Sequence, residues 1–422
     1  MSYRLSAFFH SFASAKWGCG MVVVLQIAMA SAALGLEVSM VGESEQFEIR
    51  HEKEGLLIAW PIGESKTGRL HLSLDDPGHL IQEIGIEGAD EKATAVLRDS
   101  APFWDLFVGE RDANEDGPYT FFDKVDQRGY EDFRLLLSLE KVGVEIKDQR
   151  ATVKLAKLKG EEFTGELRFT FFTNSPLIHL EAIVSTPRPN RAILYRAGVQ
   201  SPANEIVSLT YDEAGRSLRE LSPTDLVAYR KQEPVKLKKS DGLGRYGFDA
   251  TTSPVMGRAE QGILKAGYRA VAMETKAGSV SVFPPPHKFL PPLDFAENVG
   301  FNFAWKREGR VEAGVRQPPL GDGRFRPWVD CPANREQTLD LFLLVLEEAA
   351  PENLEAVAAL TRRDRYPRLE GYRTFSSHYH MHHTRNLIMK QRELNTDAIP
   401  QSFASPLFVE RFKEVGMDIV HL

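Results

Sequence analysis

Histidine is scarce in this 422-residue chain, yet four of its eleven copies fall within six residues, at His378, His380, His382 and His383. Imidazole binds divalent metals through a ring nitrogen, and His-x-His at a strand end aims two rings at one ion. In an extended segment, alternation puts His378, His380 and His382 on one face. Histidine returns at His421, at the end of Met417-Asp-Ile-Val-His-Leu422, which reads as a buried strand. His378, His380 and His421 then form a candidate centre for zinc or manganese with a position left open for water. Water held there becomes a nucleophile near neutral pH. The rival reading is a solvated, histidine-rich loop that binds nothing. His382 and His383 read as loop or substrate contacts rather than ligands.

Such a centre needs elements to position it. Between the histidines, Ser405-Pro-Leu-Phe-Val-Glu-Arg-Phe-Lys-Glu-Val-Gly416 reads as a helix. Ser405 is its N-cap, Pro406 suits the first position and Gly416 closes it. Strand, helix and strand make one βαβ unit with parallel strands, and ligand-binding groups gather at the carboxyl ends of such strands. This pattern, with His378-Tyr-His380 after the first strand, resembles the opening of the PHP-like (polymerase and histidinol phosphatase) metal-dependent hydrolases. The resemblance covers 372–422 and implies a distorted βα barrel with a multi-metal site that cleaves phosphoesters or, in some branches, amides and carbamates. His378 and His380 are the matched ligands. The family's second strand ends in an Asp-His pair, and this chain stops short of it. A single βαβ unit cannot bury both faces of a parallel sheet. The expectation is therefore an incomplete barrel start, inactive as it stands.

A second cation candidate is Asp112-Ala-Asn-Glu-Asp-Gly-Pro-Tyr-Thr-Phe-Phe-Asp123. Asp112, Asn114, Asp116 and Asp123 take positions one, three, five and twelve of an EF-hand-type calcium loop, with Gly117 at the sharp turn. Pro118 and strand-like flanks speak against it, and the rival is a polar hairpin loop. Gly242-Leu-Gly-Arg-Tyr-Gly247 has dinucleotide-loop spacing but follows no apolar strand and opens no helix. Asp75-Asp76 reads as a turn before Pro77-Gly78 rather than a carboxylate dyad. Phe103-Trp-Asp-Leu-Phe107 and Phe301-Asn-Phe-Ala-Trp305 are either sugar-stacking platforms or sandwich core.

From 36 to 350 the pattern is β-rich. Leu167, Phe169 and Phe171 alternate onto one face, Leu177–Val184 follows after an Asn-Ser-Pro turn, and Thr338–Val345 closes the series. Arg134–Leu139 also reads as one strand. Many short strands between Gly, Pro, Asn and Asp turns predict a large antiparallel β-sandwich, making the chain mainly β. The string of strands, with the late Leu-Asp-Leu-Phe-Leu-Leu-Val segment, is weakly similar to galactose-mutarotase-like supersandwich domains. That similarity implies carbohydrate contact and carries over no catalytic residue. Pro351–Leu360 reads as a helix with acids in its first turn, leading into a charged linker that ends at 371.

Net charge is −7 and sequence pI is about 6.0, which argues against nucleic acid as a partner. Residues 1–35 carry Arg4 and Lys16, an apolar run and the small residues Ala30-Ser-Ala-Ala33. They read as a secretory signal peptide, with an uncleaved membrane anchor as the rival. Either places the body outside the cytoplasm, in the periplasm or the medium. Cys331 is the one cysteine beyond that segment, so the sandwich must rest on its core without a disulfide. Two functions remain open: an exported carbohydrate-recognition sandwich joined to the start of a metal-dependent hydrolase, or a non-catalytic carbohydrate-binding or structural sandwich.

Overall fold

The structure, a computed structural model, describes residues 29–30, 37–42, 44–52, 55–63, 65–88, 93–111, 130–213, 217–230, 262–286, 301–317, 328–364, 370–371, 374–376, 381–400 and 419–421. It falls into two units, 1–359 and 360–422.

The first unit is a sandwich of two large sheets. One sheet runs, in spatial order, Met29–Ala30, Glu37–Val41, Leu136–Lys147, Arg150–Gly160, Phe163–Phe172, Leu177–Ser185, Gln337–Leu346, Gly278–Phe283, Val271–Thr275, Ser208–Asp212 and Leu218–Leu221. The other runs Ile263–Leu264, Asn302–Arg307, Arg310–Arg316, Arg191–Pro202, Ala93–Glu110, Ile81–Glu87, Lys66–Ser73, Gly55–Ile62 and Glu48–His51. Two short strands, Val329–Cys331 and Tyr130–Arg134, pair with Arg191–Pro202 and Ala93–Glu110. Pairing is antiparallel except where Glu37–Val41 joins Leu136–Lys147. The expected strand over Arg134–Leu139 is in fact two: the chain leaves one sheet at Arg134, and Leu135 turns it into the other. The leucines Leu135–Leu137 run straight across that break, so the apolar pattern does not mark it.

Alternation builds the core. Leu167, Phe169 and Phe171 point inward from the first sheet, as do Trp104, Leu106 and Val108 from the second. Trp60 and Phe171 meet across the gap at 4.8 Å between ring centroids, and Trp60 Nε1 donates to the Ser175 carbonyl at 2.9 Å. That bond satisfies a buried indole N–H. Cys331 is buried and unpaired, and burial pushes its thiol up to about 11. The helix Ala350–Thr361 lays Leu354, Val357 and Ala358 against Tyr268, Ala272 and Phe283 on the far side of the first sheet. Asn353 ties it down, its Nδ2 donating to the Ser279 and Leu344 carbonyls at 3.0 and 3.2 Å.

In the second unit, Thr374–Ser376 and Ile419–His421 pair in parallel, with Ser376 opposite His421. A helix, Met381–Glu393, starts five residues after the first strand. His382 and His383 therefore lie in a helix, not on a continuing strand face or in a loop. His378 and His380 lie outside the described residues, as does the expected helix Ser405–Gly416.

Candidate functional site: the outer face of the second sheet

A strand between two sheets shows one set of side chains to the core and the other outward. On the second sheet the outward set is not a plain solvated surface. Across the register, Arg134 lies opposite Asp105, Asp105 opposite Arg196, and Arg196 opposite Arg316. One row on, Phe103, Gly198, Gly314 and Phe303 line up, and beyond them Gln200, Glu312 and Trp305. Five charged residues and three large rings thus share a face that two glycines leave open at its middle. A Cβ on Gly314 would stand 2.1 Å from the Ala197 carbonyl oxygen, so the strands approach too closely for any larger residue.

The charges are closed on one another. Asp105 and Arg196 are 4% and 3% exposed, and Glu312 is 1% exposed. Arg196 donates from Nε and Nη2 to Asp105 Oδ2 at 2.9 and 2.7 Å. Arg134 donates from Nε to Asp105 Oδ1 at 2.8 Å and from Nη1 to Glu312 Oε1 at 2.9 Å. Glu312 Oε2 accepts from Trp305 Nε1 at 2.8 Å. The Arg134 guanidinium lies 4.1 Å from the centre of the Phe103 ring, and that of Arg196 lies 4.8 Å from Trp305. Burial alone would raise the Asp105 carboxyl, but the guanidiniums of Arg196 and Arg134 outweigh it and hold it below the usual carboxylate range. Two carboxylates against two paired guanidiniums leave no net charge to dissipate, which is what permits burial.

Gln200 connects this network to open space. Its Oε1 accepts from Arg134 Nη1 at 3.2 Å, and its Nε2 donates toward the Gly78 carbonyl at 3.5 Å. Beyond it, where the same strands end, lies a cleft of about 810 Å³. Asp75, Asp76, His79, Gln82, Asp99 and Arg310 are among the residues that line it. Local sequence shapes each wall. Asp76 caps the 3-10 turn Pro77–His79, accepting from the Gly78 amide at 3.0 Å, and its Oδ2 stands 2.7 Å from His79 Nδ1. The His79 hydrogen bond holds the Asp76 carboxyl below its ordinary value. Ser73 Oγ donates to Asp75 Oδ1 at 2.5 Å. Glu308 and Gly309 form a two-residue hairpin loop, both at positive φ, between paired Arg307 and Arg310. Arg310 donates from Nη2 to the Asp99 carbonyl, and its Nε has no partner among the described residues.

The sequence-level candidates divide accordingly. Asp75-Asp76 is the expected turn, and the same turn puts both carboxylates on the cleft wall. Both aromatic segments are divided: in Phe103–Phe107 alternation turns Trp104 into the core and Phe103 and Phe107 outward, and in the other Phe301, just before the strand Asn302–Arg307, joins the core while Phe303 and Trp305 face outward. The calcium candidate Asp112, Asn114, Asp116 and Asp123 lies outside the described residues. For the metal candidates, the register of the second unit sets the carboxyl ends of two parallel strands side by side, at Ser376 and His421. Among the described residues no group of three or more His, Cys, Asp or Glu side chains is placed to hold a metal. Sequence reasoning passed over Asp105, Arg134, Arg196 and Glu312. The available signal was a charge inside an otherwise apolar stretch, as in Phe-Trp-Asp105-Leu-Phe and Leu-Tyr-Arg196-Ala, because a charge buried there needs a partner.

The chain matches no protein-family profile and no curated protein sequence. Its structure is similar to those of carbohydrate-active proteins. An α-mannosidase from Enterococcus faecalis overlaps 76% of this chain and 33% of its own length, at 12% identity and a TM-score of 0.32. An α-galactosidase from Geobacillus stearothermophilus overlaps 72% of this chain and 41% of its own, at 8% identity and a TM-score of 0.28. A galactose mutarotase-like protein from Lactobacillus casei overlaps 69% of this chain and the whole of its own, at 11% identity and a TM-score of 0.31. The chain thus spans a third to less than half of the two glycosidases. Galactose mutarotase-like proteins and glycoside hydrolases are among its structural neighbours.

Proposed function

We propose that the β-sandwich binds a neutral saccharide in the cleft at the end of the outer face. The observation that carries this is the mix of groups on one wall: Asp75, Asp76 and Asp99 as acceptors, with Arg310, His79 and Gln82 as donors. A polyhydroxylated ligand offers donors and acceptors around its ring, and carboxylates accept hydrogen bonds from neighbouring hydroxyls. The cleft has the volume of a small-molecule site. Four carboxylates, counting Glu308, against one guanidinium disfavour anionic sugars. Calorimetric titration with galactose, mannose, glucose and galacturonate tests it. Binding of a neutral sugar, weakened at least tenfold by Arg310→Ala and weaker still for the uronate, is the expected result. Equal binding by the Arg310→Ala variant would place the sugar elsewhere.

A second reading concerns the 360–422 unit, and the parallel register of Ser376 with His421 favours it. We propose that His378, His380 and His421 hold a zinc or manganese ion at the carboxyl ends of that strand pair. A cation there would supply Lewis acidity for hydrolysis, which is the chemistry of an exported metal-dependent hydrolase whose sandwich recognises the substrate. The non-catalytic alternative keeps the saccharide and drops the ion. Zinc titration separates them: His378→Ala with His380→Ala should abolish binding and leave the sandwich folded, and unchanged zinc affinity in that variant would remove this site.

A further inference from the structure

The walls of the saccharide cleft include three pieces of chain far apart in sequence: the turn Pro77–His79, the corner at Asp99, and the hairpin loop Glu308–Gly309 with Arg310. All three are tied to the end of one strand, Arg191–Pro202, and the residue after it. Arg310 donates from Nη2 to the Gln200 carbonyl at 3.5 Å, besides its bond to the Asp99 carbonyl. The Gly309 carbonyl accepts from the Ala203 amide at 3.2 Å. The Ser201 hydroxyl donates to that of Ser100, the neighbour of Asp99, and Ser100 Oγ donates on to the Arg98 carbonyl at 2.6 Å. Both serines are buried. The turn Pro77–His79 is reached by a side chain: Gln200 Nε2 donates toward the Gly78 carbonyl at 3.5 Å.

Gln200 differs from the other ties in what stands behind it. Its Oε1 accepts from Arg134 Nη1 at 3.2 Å, and Arg134 is fixed in turn by Asp105 and Glu312. A guanidinium can only donate, so it holds the amide oxygen toward itself and leaves the amide NH2 facing the turn. Within 73–80 the turn makes its own bonds: Asp76 Oδ1 accepts from the Gly78 amide and Ser73 Oγ from the Asp76 amide, both at 3.0 Å. These bonds shape the turn but do not place it against the wall that carries Arg310. The Gln200 amide supplies that link. Pro202 lines the cleft, and Gln200 stands two residues behind it on the same strand.

We infer that Gln200 is a positioning residue of the cleft: it holds the turn that carries Asp76 and His79 in place relative to Arg310 and touches no ligand itself. Its consequence for binding rests on the saccharide reading of the cleft, whereas the tie to the turn does not. A wall held in place before binding costs less to order when the sugar arrives. One neutral hydrogen bond of this kind is worth about threefold to tenfold in affinity. The link runs through the Gly78 carbonyl, so it is lost with the donor even where the acceptor for Arg134 is kept.

Two variants of the full chain test this role. Gln200→Glu keeps the shape and the acceptor for Arg134 but has no donor for the Gly78 carbonyl, and Gln200→Met keeps the length and removes both. In the ligand-free protein both should shift the His79 backbone amide NMR signal, which reports the bond at the adjoining Gly78 carbonyl, and raise the mobility of 77–79. Signals of core residues such as Phe169 and Leu180 should stay in place and show that the fold is kept. Calorimetry with the neutral sugar that binds wild type should show both variants weakened about threefold to tenfold. Full affinity in Gln200→Glu, with loss only in Gln200→Met, would mean that Gln200 merely caps Arg134 and would overturn the positioning role. Unmoved 77–79 signals in both variants would overturn it as well. Shifted 77–79 signals, with no neutral sugar bound by wild type, would uphold the positioning role and remove the saccharide reading instead.

Discussion

The two faces of the strand Ala93–Glu110 obey opposite rules with the same spacing. Trp104, Leu106 and Val108 turn into the sandwich and are held by apolar burial alone. Phe103, Asp105 and Phe107 turn outward, where Asp105 is as buried as its neighbours but depends on Arg134 and Arg196. The inner face tolerates a range of side chains of the right size. The outer face tolerates none of its charges being removed singly, because each deletion leaves a buried partner uncompensated. Stability on one side is packing, and on the other it is charge matching.

That contrast can be broken most severely at its centre. Asp105→Asn should cost about 3–5 kcal/mol, the usual penalty for opening a buried ion pair, read as a lower denaturant midpoint. Leu106→Ala on the inner face should cost about 2–5 kcal/mol, so magnitude alone does not separate the faces. Acid does. The folded Asp105 carboxyl lies below its unfolded value, so its contribution is complete above that unfolded value and is lost as pH falls through the folded one. The stability gap between wild type and Asp105→Asn should therefore shrink below about pH 4, the unfolded carboxylate range, while the gap for Leu106→Ala stays level. A gap for Asp105→Asn that is constant with pH would mean that its charge does not stabilise the fold. Smaller again, Glu312→Gln keeps an acceptor for Trp305 but weakens the bond from Arg134, and should cost about 1–3 kcal/mol. The smallest effect is at the turn. Asp76→Ala removes a cap on an exposed segment, a loss of about 0.5–2 kcal/mol, and leaves the core melting as one transition.

The inner face was legible in the sequence and the outer one was not, for a physical reason. Leu167-Arg-Phe-Thr-Phe171 alternates cleanly because its outward residues are polar, so period two is visible. Phe103-Trp-Asp-Leu-Phe107 is apolar on both faces, and a strand covered on both sides looks like a continuous run. Its aromatics were ambiguous between core and platform because they are divided between the two. The acidic cleft depended on contacts far apart in the chain: Asp76 sits in the turn before Ile81–Glu87, Asp99 within Ala93–Glu110 and Arg310 at the start of Arg310–Arg316, and they meet only through sheet pairing. The parallel strand pair at the carboxyl end was readable from its apolar run, whereas the helix containing His382 and His383 was hidden by a local pattern that alternates like a strand.

The saccharide assignment rests on where a sugar sits relative to these two environments. The most direct measurement is a crystal of the full chain soaked with the neutral sugar that calorimetry ranks highest. Density between His79 and Arg310, with hydroxyls within hydrogen-bonding distance of Asp75 or Asp99, is the predicted result. A sugar stacked elsewhere, with that cleft holding only water, would contradict it.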